Sequence, residues 1–125
     1  KFLIVKVINA KSLGSAKKIA FSIANSPLVK TAVAGEDPNW GRIIMGIGKS
    51  GEVIDIKKLK IKLGDFIVAE NGKISDTYNE EKLKEYMKWD SIEIEVNLKL
   101  GNDAFECYTC DFTHDYIDIN ADYRN

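Results

Sequence analysis

The segment SIEIEVNLKL, residues 91 to 100, alternates apolar and polar side chains without a break. Side chains along a strand point to opposite faces in turn, so Ile92, Ile94, Val96, Leu98 and Leu100 share one face. A strand of this kind buries one face and leaves the other wet, which restricts the chain to folds whose sheet is open on one side. Gly101-Asn102-Asp103 then predicts a turn into AFECYTCDF, and the two long strands are expected to pair as a hairpin. FLIVKVIN (2 to 9) is rich in Ile and Val and predicts another strand. Its place is expected to be a raw sheet edge. EVIDI and LKIKLGDFIVAENGKI make residues 52 to 74 β-rich, with Leu59, Ile61 and Leu63 alternating against lysines and Asn71-Gly72 marking a hairpin turn.

Helices are predicted between these strands. Ala16, Ile19, Ala20, Ile23 and Ala24 form one stripe at helical spacing between Ser15 and Ser26, and Pro27 pushes the residue before it out of helical conformation. LVKTAVAG, which follows, reads as a second strand or an extended segment reaching Gly35. A second helix is expected from Pro38 to Ile47, with Trp40, Ile43, Ile44 and Ile47 at helical spacing, Asp37 as its cap and Gly48 as its stop. EEKLKEYMKW (80 to 89) places Leu83, Tyr86 and Met87 on one face and predicts a third. Strands and helices without a regular βαβ repeat give an α+β fold: a mixed or antiparallel sheet packed with three short helices, a single two-layer domain over residues 1–125.

Charge narrows the function. Lys and Arg number 18 against 19 Asp and Glu, interspersed rather than blocked, so no face is built for nucleic acid. Apolar runs fall short of the roughly 20 residues of a membrane span. With no basic-then-apolar leader, a soluble cytoplasmic protein is expected. Lys1 opens directly on a strand-like run, the expected cut edge of something larger.

Three motifs could carry chemistry. DPNWGR (37 to 42) reads as cap, first-turn proline, core indole and exposed arginine; the competing reading presents a helix N-terminus to an anionic ligand. Gly41 and Gly46 leave room for close backbone approach. Cys107 and Cys110 form a C-x-x-C, but no second pair exists and His114 is the sole histidine, so zinc is disfavoured. Their segment reads as a strand, which places the two thiols on opposite faces as small, buried or half-buried groups. The tail DFTHDYIDINADYRN concentrates aspartates at 111, 115, 118 and 122, without the spacing of an EF-hand loop.

SPLVKTAVAGEDPNWGRI (26 to 43), LKLGNDA (98 to 104) and CDFTHDYIDINADYRN (110 to 125) together resemble the C-terminal part of the β chain of the ornithine acetyltransferase (ArgJ) family. These are the bifunctional glutamate N-acetyltransferases of arginine biosynthesis. The resemblance implies a precursor that cleaves itself before a threonine, which then carries the acetyl group from N-acetylornithine to glutamate. None of Thr31, Thr77, Thr109 and Thr113 stands in that cleavage context. The nucleophile, the oxyanion donors and an acidic substrate ligand just upstream of Lys1 are therefore expected outside these residues, and the chain alone is expected to be inactive. The implied partners are the upstream α chain and the N-terminal part of the β chain, in a hetero-oligomer. No cofactor or metal is implied; acetyl-CoA is a possible further acetyl donor. The implied substrate-binding residues are Asn120, in the I-N-A-x-Y segment, and Asn125, where the family usually has Thr or Ser. Cys110 matches the family's Cys before Asp, and Cys107 has no counterpart. A non-catalytic interaction or regulatory module is the alternative, since no complete acid, base and nucleophile set is present.

Overall fold

A computed structural model of the protein describes residues 1–111. In chain order these form β1 (Phe2–Ala10), α1 (Leu13–Ala24), α2 (Pro27–Ala34), α3 (Trp40–Lys49), β2 (Lys60–Leu63), β3 (Phe66–Glu70), β4 (Lys73–Ile74), α4 (Glu80–Tyr86), β5 (Ser91–Asn97) and β6 (Asp103–Cys110). The six strands make one mixed sheet in the order β4-β3-β2-β5-β1-β6. Only β1 and β5 run parallel; every other pairing is antiparallel.

Alternation decides which side the helices cover. Leu3, Val5 and Val7 of β1, Ile61 and Leu63 of β2, and Ile92, Ile94 and Val96 of β5 are all buried in one cluster with side chains of the four α-helices. Lys6, Lys62, Glu93 and Glu95 occupy the intervening positions and are only half-buried. The α+β, two-layer reading is correct, with one helix more than expected.

That helix is α2. The segment LVKTAVAG is helical, not extended, because Ser26 caps it: the Ser26 hydroxyl accepts from the Val29 N–H at 3.3 Å, with Pro27 in the first turn. Pro27 thus ends α1 and starts α2. EVIDI forms no strand either. Asp55 Oδ1 accepts from the Lys57 N–H at 3.1 Å and caps a short 3-10 turn, Ile56–Lys58, while Val53 and Ile56 are exposed.

The expected β5–β6 hairpin is replaced by a crossover, since β1 lies between the two strands. Residues 98–102 pass over the end of β1, where Leu100 and Gly101 both donate backbone N–H groups to the Asn9 carbonyl, at 2.8 and 3.0 Å. Gly101 lies against the Ala10 backbone so closely that a Cβ would collide with it. β1 is therefore central rather than a raw edge, which suits a strand with apolar residues on both faces. β4 and β6 are the edges.

The hairpin turn at Asn71-Gly72 is as expected. Both residues have positive φ, 54° and 78°, the conformation of a two-residue hairpin turn between β3 and β4.

Candidate functional site

DPNWGR forms a rigid corner between α2 and α3. Asn39, not Asp37, caps α3: its Oδ1 accepts from the Arg42 N–H at 3.2 Å, and its Nδ2 donates to Asp37 Oδ2 at 3.3 Å. The helix begins two residues later than expected and runs through Gly48 to Lys49. The Asp37 N–H donates to the Ala32 carbonyl at 2.9 Å, tying the corner to the end of α2. Arg42 reaches back over the same joint, its Nη1 donating to the Leu28 carbonyl at 2.9 Å. Trp40 is half-buried against the core. The side chains of Asp37, Asn39 and Arg42 thus all make hydrogen bonds at the α2–α3 joint. Gly46 has a separate reason: a Cβ there would stand 3.4 Å from the Ile23 Cα, so α1 and α3 touch at that point.

The two cysteines lie in β6 as free thiols, Cys107 buried and Cys110 half-buried. Burial, and after it the charge of Glu106, pushes the Cys107 thiol above its ordinary pKa, the opposite of what a nucleophilic thiol needs. Among the described residues no group of three or more His, Cys, Asp or Glu could hold a metal ion. No helix among them is long and apolar enough to cross a membrane.

Two of the three described threonines are committed locally. The Thr31 hydroxyl donates to the Pro27 carbonyl one turn earlier in α2 at 2.7 Å, and the Thr77 hydroxyl shares a 2.9 Å hydrogen bond with that of Ser75. Thr109 lies in β6 opposite Leu3. Asn120 and Asn125, the residues implied to touch substrate, lie outside the described residues, as do Thr113, His114 and the remaining acids of the tail.

One of the four tail aspartates noted in the sequence is a buried carboxylate. Asp111 directly follows β6 and is 1% exposed. Its Oδ1 accepts from the Lys1 backbone nitrogen at 2.8 Å, and its own N–H donates to the Lys1 carbonyl at 3.1 Å. Its Oδ2 has no hydrogen-bond partner among the described residues. The start of β1 and the end of β6 are thereby fastened together, with Phe2 opposite Cys110 in the register. Lys30 is also buried, on the inward face of α2.

Comparisons with known proteins give the same answer along the full length. The model of the ArgJ family matches residues 1–125. The chain is 51% identical over 125 residues to the arginine biosynthesis bifunctional protein ArgJ of Brucella melitensis, of which it covers 30%. It is 52% identical to the protein of the same name from Ruegeria pomeroyi, of which it covers 31%. The chain thus spans about a third of the length of these curated relatives. Among solved structures, the arginine biosynthesis bifunctional protein ArgJ of Bacillus halodurans superposes with a TM-score of 0.89 at 37% identity, covering 98% of this chain and 58% of that one.

Proposed function

Because the chain belongs to the ArgJ family, of bifunctional arginine biosynthesis proteins, we propose that it is the C-terminal part of a glutamate N-acetyltransferase. The reaction moves an acetyl group from N2-acetylornithine to L-glutamate through an acetyl-threonine intermediate. Acetyl-CoA is a candidate second donor, and the cytoplasm is the proposed compartment.

The observation that carries this reading is the pairing of Lys1 with Asp111. The family resemblance puts an acidic substrate ligand just upstream of Lys1 and a substrate-binding asparagine, Asn120, after Asp111. The two segments therefore depart from one point of the sheet, which supports a single amino-acid pocket built from both. The Asn120 amide both donates and accepts, as does that of Asn125, so either can meet the amino or carboxylate group of a bound amino acid.

The nucleophile is a threonine from a segment these 125 residues do not contain; the locally bonded Thr31 and Thr77 are consistent with that. In the proposed sequence the threonine hydroxyl gives its proton to its own α-amine as the oxygen attacks the acetyl carbonyl. The tetrahedral intermediate collapses with ornithine leaving and taking a proton. The amine of glutamate then attacks the acetyl ester and restores the free threonine. Oxyanion donors stabilise both intermediates and, like the nucleophile, come from the upstream α chain and the N-terminal part of the β chain, with which this chain forms a hetero-oligomer.

Mixing the chain with the separately produced upstream part tests the proposal. Acetyl transfer from N-acetylornithine to glutamate is expected from the mixture and from neither component alone. A folded mixture without transfer would favour the non-catalytic module instead.

A further inference from the structure

The two edges of the sheet are unlike. At one, β4 is two residues long; at the other, β6 runs for eight residues and pairs only with β1. A strand edge carries unpaired N–H and C=O groups that accept another strand unless the edge is short, bulged, covered, or protected by Lys or Pro. DAFECYTC contains neither residue, and none of the described strands pairs with its outer side.

The ladder with β1 shows which backbone groups face outward. The Asp111 N–H donates to the Lys1 carbonyl, and the register continues from there with Leu3 opposite Thr109 and Val5 opposite Cys107. In an antiparallel ladder, bonded pairs of this kind alternate with pairs whose groups point away. Phe105, Cys107 and Thr109 therefore turn their backbone groups toward β1, and Glu106, Tyr108 and Cys110 turn theirs to the open edge. Aromatic rings flank that edge on both faces of the sheet. Phe2 and Tyr108, both exposed, stack at 5.8 Å on the face without helices, and Phe21 of α1, also exposed, meets Phe105 at 5.4 Å on the other.

We infer that the edge of β6 pairs with β6 of a second copy of this chain, antiparallel, about a twofold axis that passes through Cys107 normal to the sheet. Self-complementarity assigns the occupant. The axis must lie at a residue rather than between two, because directly opposed side chains share a face. An axis at Glu106 would set two like charges against each other, and one at Tyr108 would shorten the ladder. With the axis at Cys107, Glu106 lies opposite Tyr108 of the second copy and Tyr108 opposite its Glu106, so the outward backbone groups of these residues exchange bonds. Each Tyr108 hydroxyl, which donates to Glu106 of its own chain, then has a second carboxylate across the axis. Asp103 falls opposite Asp111 at each end of the ladder, but that carboxylate is turned onto Lys1. The interface is isologous and closes at two copies, joining the sheets into one with both helical layers on the same side.

Sedimentation equilibrium and amide hydrogen exchange, on the chain alone and assembled with the upstream part, test the inference; neither readout involves acetyl transfer. A monomer–dimer equilibrium is expected. The Glu106 and Tyr108 amides should exchange on the order of tenfold more slowly at dimer-forming concentrations, while those of Phe105, Cys107 and Thr109 stay protected throughout. Tyr108→Glu, a change at an exposed side chain, faces two carboxylates across the axis and should weaken dimerisation on the order of tenfold; adding Glu106→Lys makes the pair opposite in charge and should restore it. Circular dichroism checks that both variants fold, and the exchange pattern of the unaltered chain decides if either does not. A monomer at every concentration, a dimer with unchanged exchange at Glu106 and Tyr108, or a folded Tyr108→Glu variant that dimerises as before would overturn the inference. So would protection of these two amides in the assembled protein without pairing of copies, which would give the edge to an upstream strand.

Discussion

Gly64 and Tyr86 occupy space that only a glycine leaves free. A Cβ at residue 64 would stand 2.6 Å from Tyr86 Cζ, and the Gly64 φ of 58° is left-handed. The tyrosine ring closes over the β2–β3 turn, and its hydroxyl accepts from the Glu93 N–H at 2.8 Å. Gly64→Ala should therefore cost a left-handed term of about 1–2 kcal/mol plus an overpacking term of about 1–3 kcal/mol. Gly51, with φ 77° and nothing within 4 Å of a Cβ, isolates the first term. Chemical denaturation should show Gly51→Ala losing only the backbone cost and Gly64→Ala clearly more; equal losses would mean that the Tyr86 contact carries no weight.

The cap of α3 can be located by mutation. Asn39→Ala removes the acceptor for the Arg42 N–H and should cost about 1 kcal/mol of stability. Asp37→Ala keeps that bond, along with the backbone bond to Ala32, and should cost less. A larger loss from Asp37→Ala in urea titrations would restore the cap to the aspartate.

How far the fold was legible depends on whether burial lies on one face. The stripe of α1, the alternation of β5 and the inward Leu83 and Tyr86 of α4 are all buried as their spacing predicts. α2 was missed because Val29, Thr31 and Val33 alternate at strand period, while the buried set Val29, Lys30, Ala32 and Val33 is helical. Eight residues are too few to separate the two periods, and the deciding signal was Ser26-Pro27 as cap and first turn. The central position of β1 is a long-range pairing that no local pattern encodes; Gly101, required by the crossover, was its one local trace. The candidate site was legible only through family resemblance. Asn120 and Asn125 carry no local signature of substrate contact, and Asp111 became notable only once β1 and β6 were seen side by side.

Alkaline pH should weaken the protein in two stages. Cys107 titrates above its ordinary value of 9.0, chiefly through burial and then through Glu106. Tyr86 titrates above 10.0, through burial and the charges of Glu93 and Asp65, against the lowering effect of the Glu93 N–H bond. Each acid keeps its proton in the folded state at a pH where the unfolded chain has released it. The contribution to stability is therefore complete below the unfolded pKa and is lost as pH rises through the folded one. Denaturation midpoints should hold steady to about pH 9 and then fall. Cys107→Ser should delay the fall toward the tyrosine range, whatever its effect on baseline stability; an unchanged onset would remove Cys107 as its cause.

Substitution of Asn120 bears on the proposed pocket directly. In the assembled enzyme, Asn120→Ala should lower kcat/KM by an amount equivalent to roughly 1–3 kcal/mol, through loss of a polar contact with substrate. Asp111→Asn offers a contrast, because it keeps the shape of the anchor while weakening the charge-assisted bond to Lys1. If Asp111 only holds the strand ends together, its variant should lose thermal stability with a smaller kinetic change. If Asn120 touches substrate, its variant should lose kcat/KM at unchanged Tm. Unaltered kinetics for Asn120→Ala would take that residue out of the pocket and leave the convergence of the two strand ends as architecture alone.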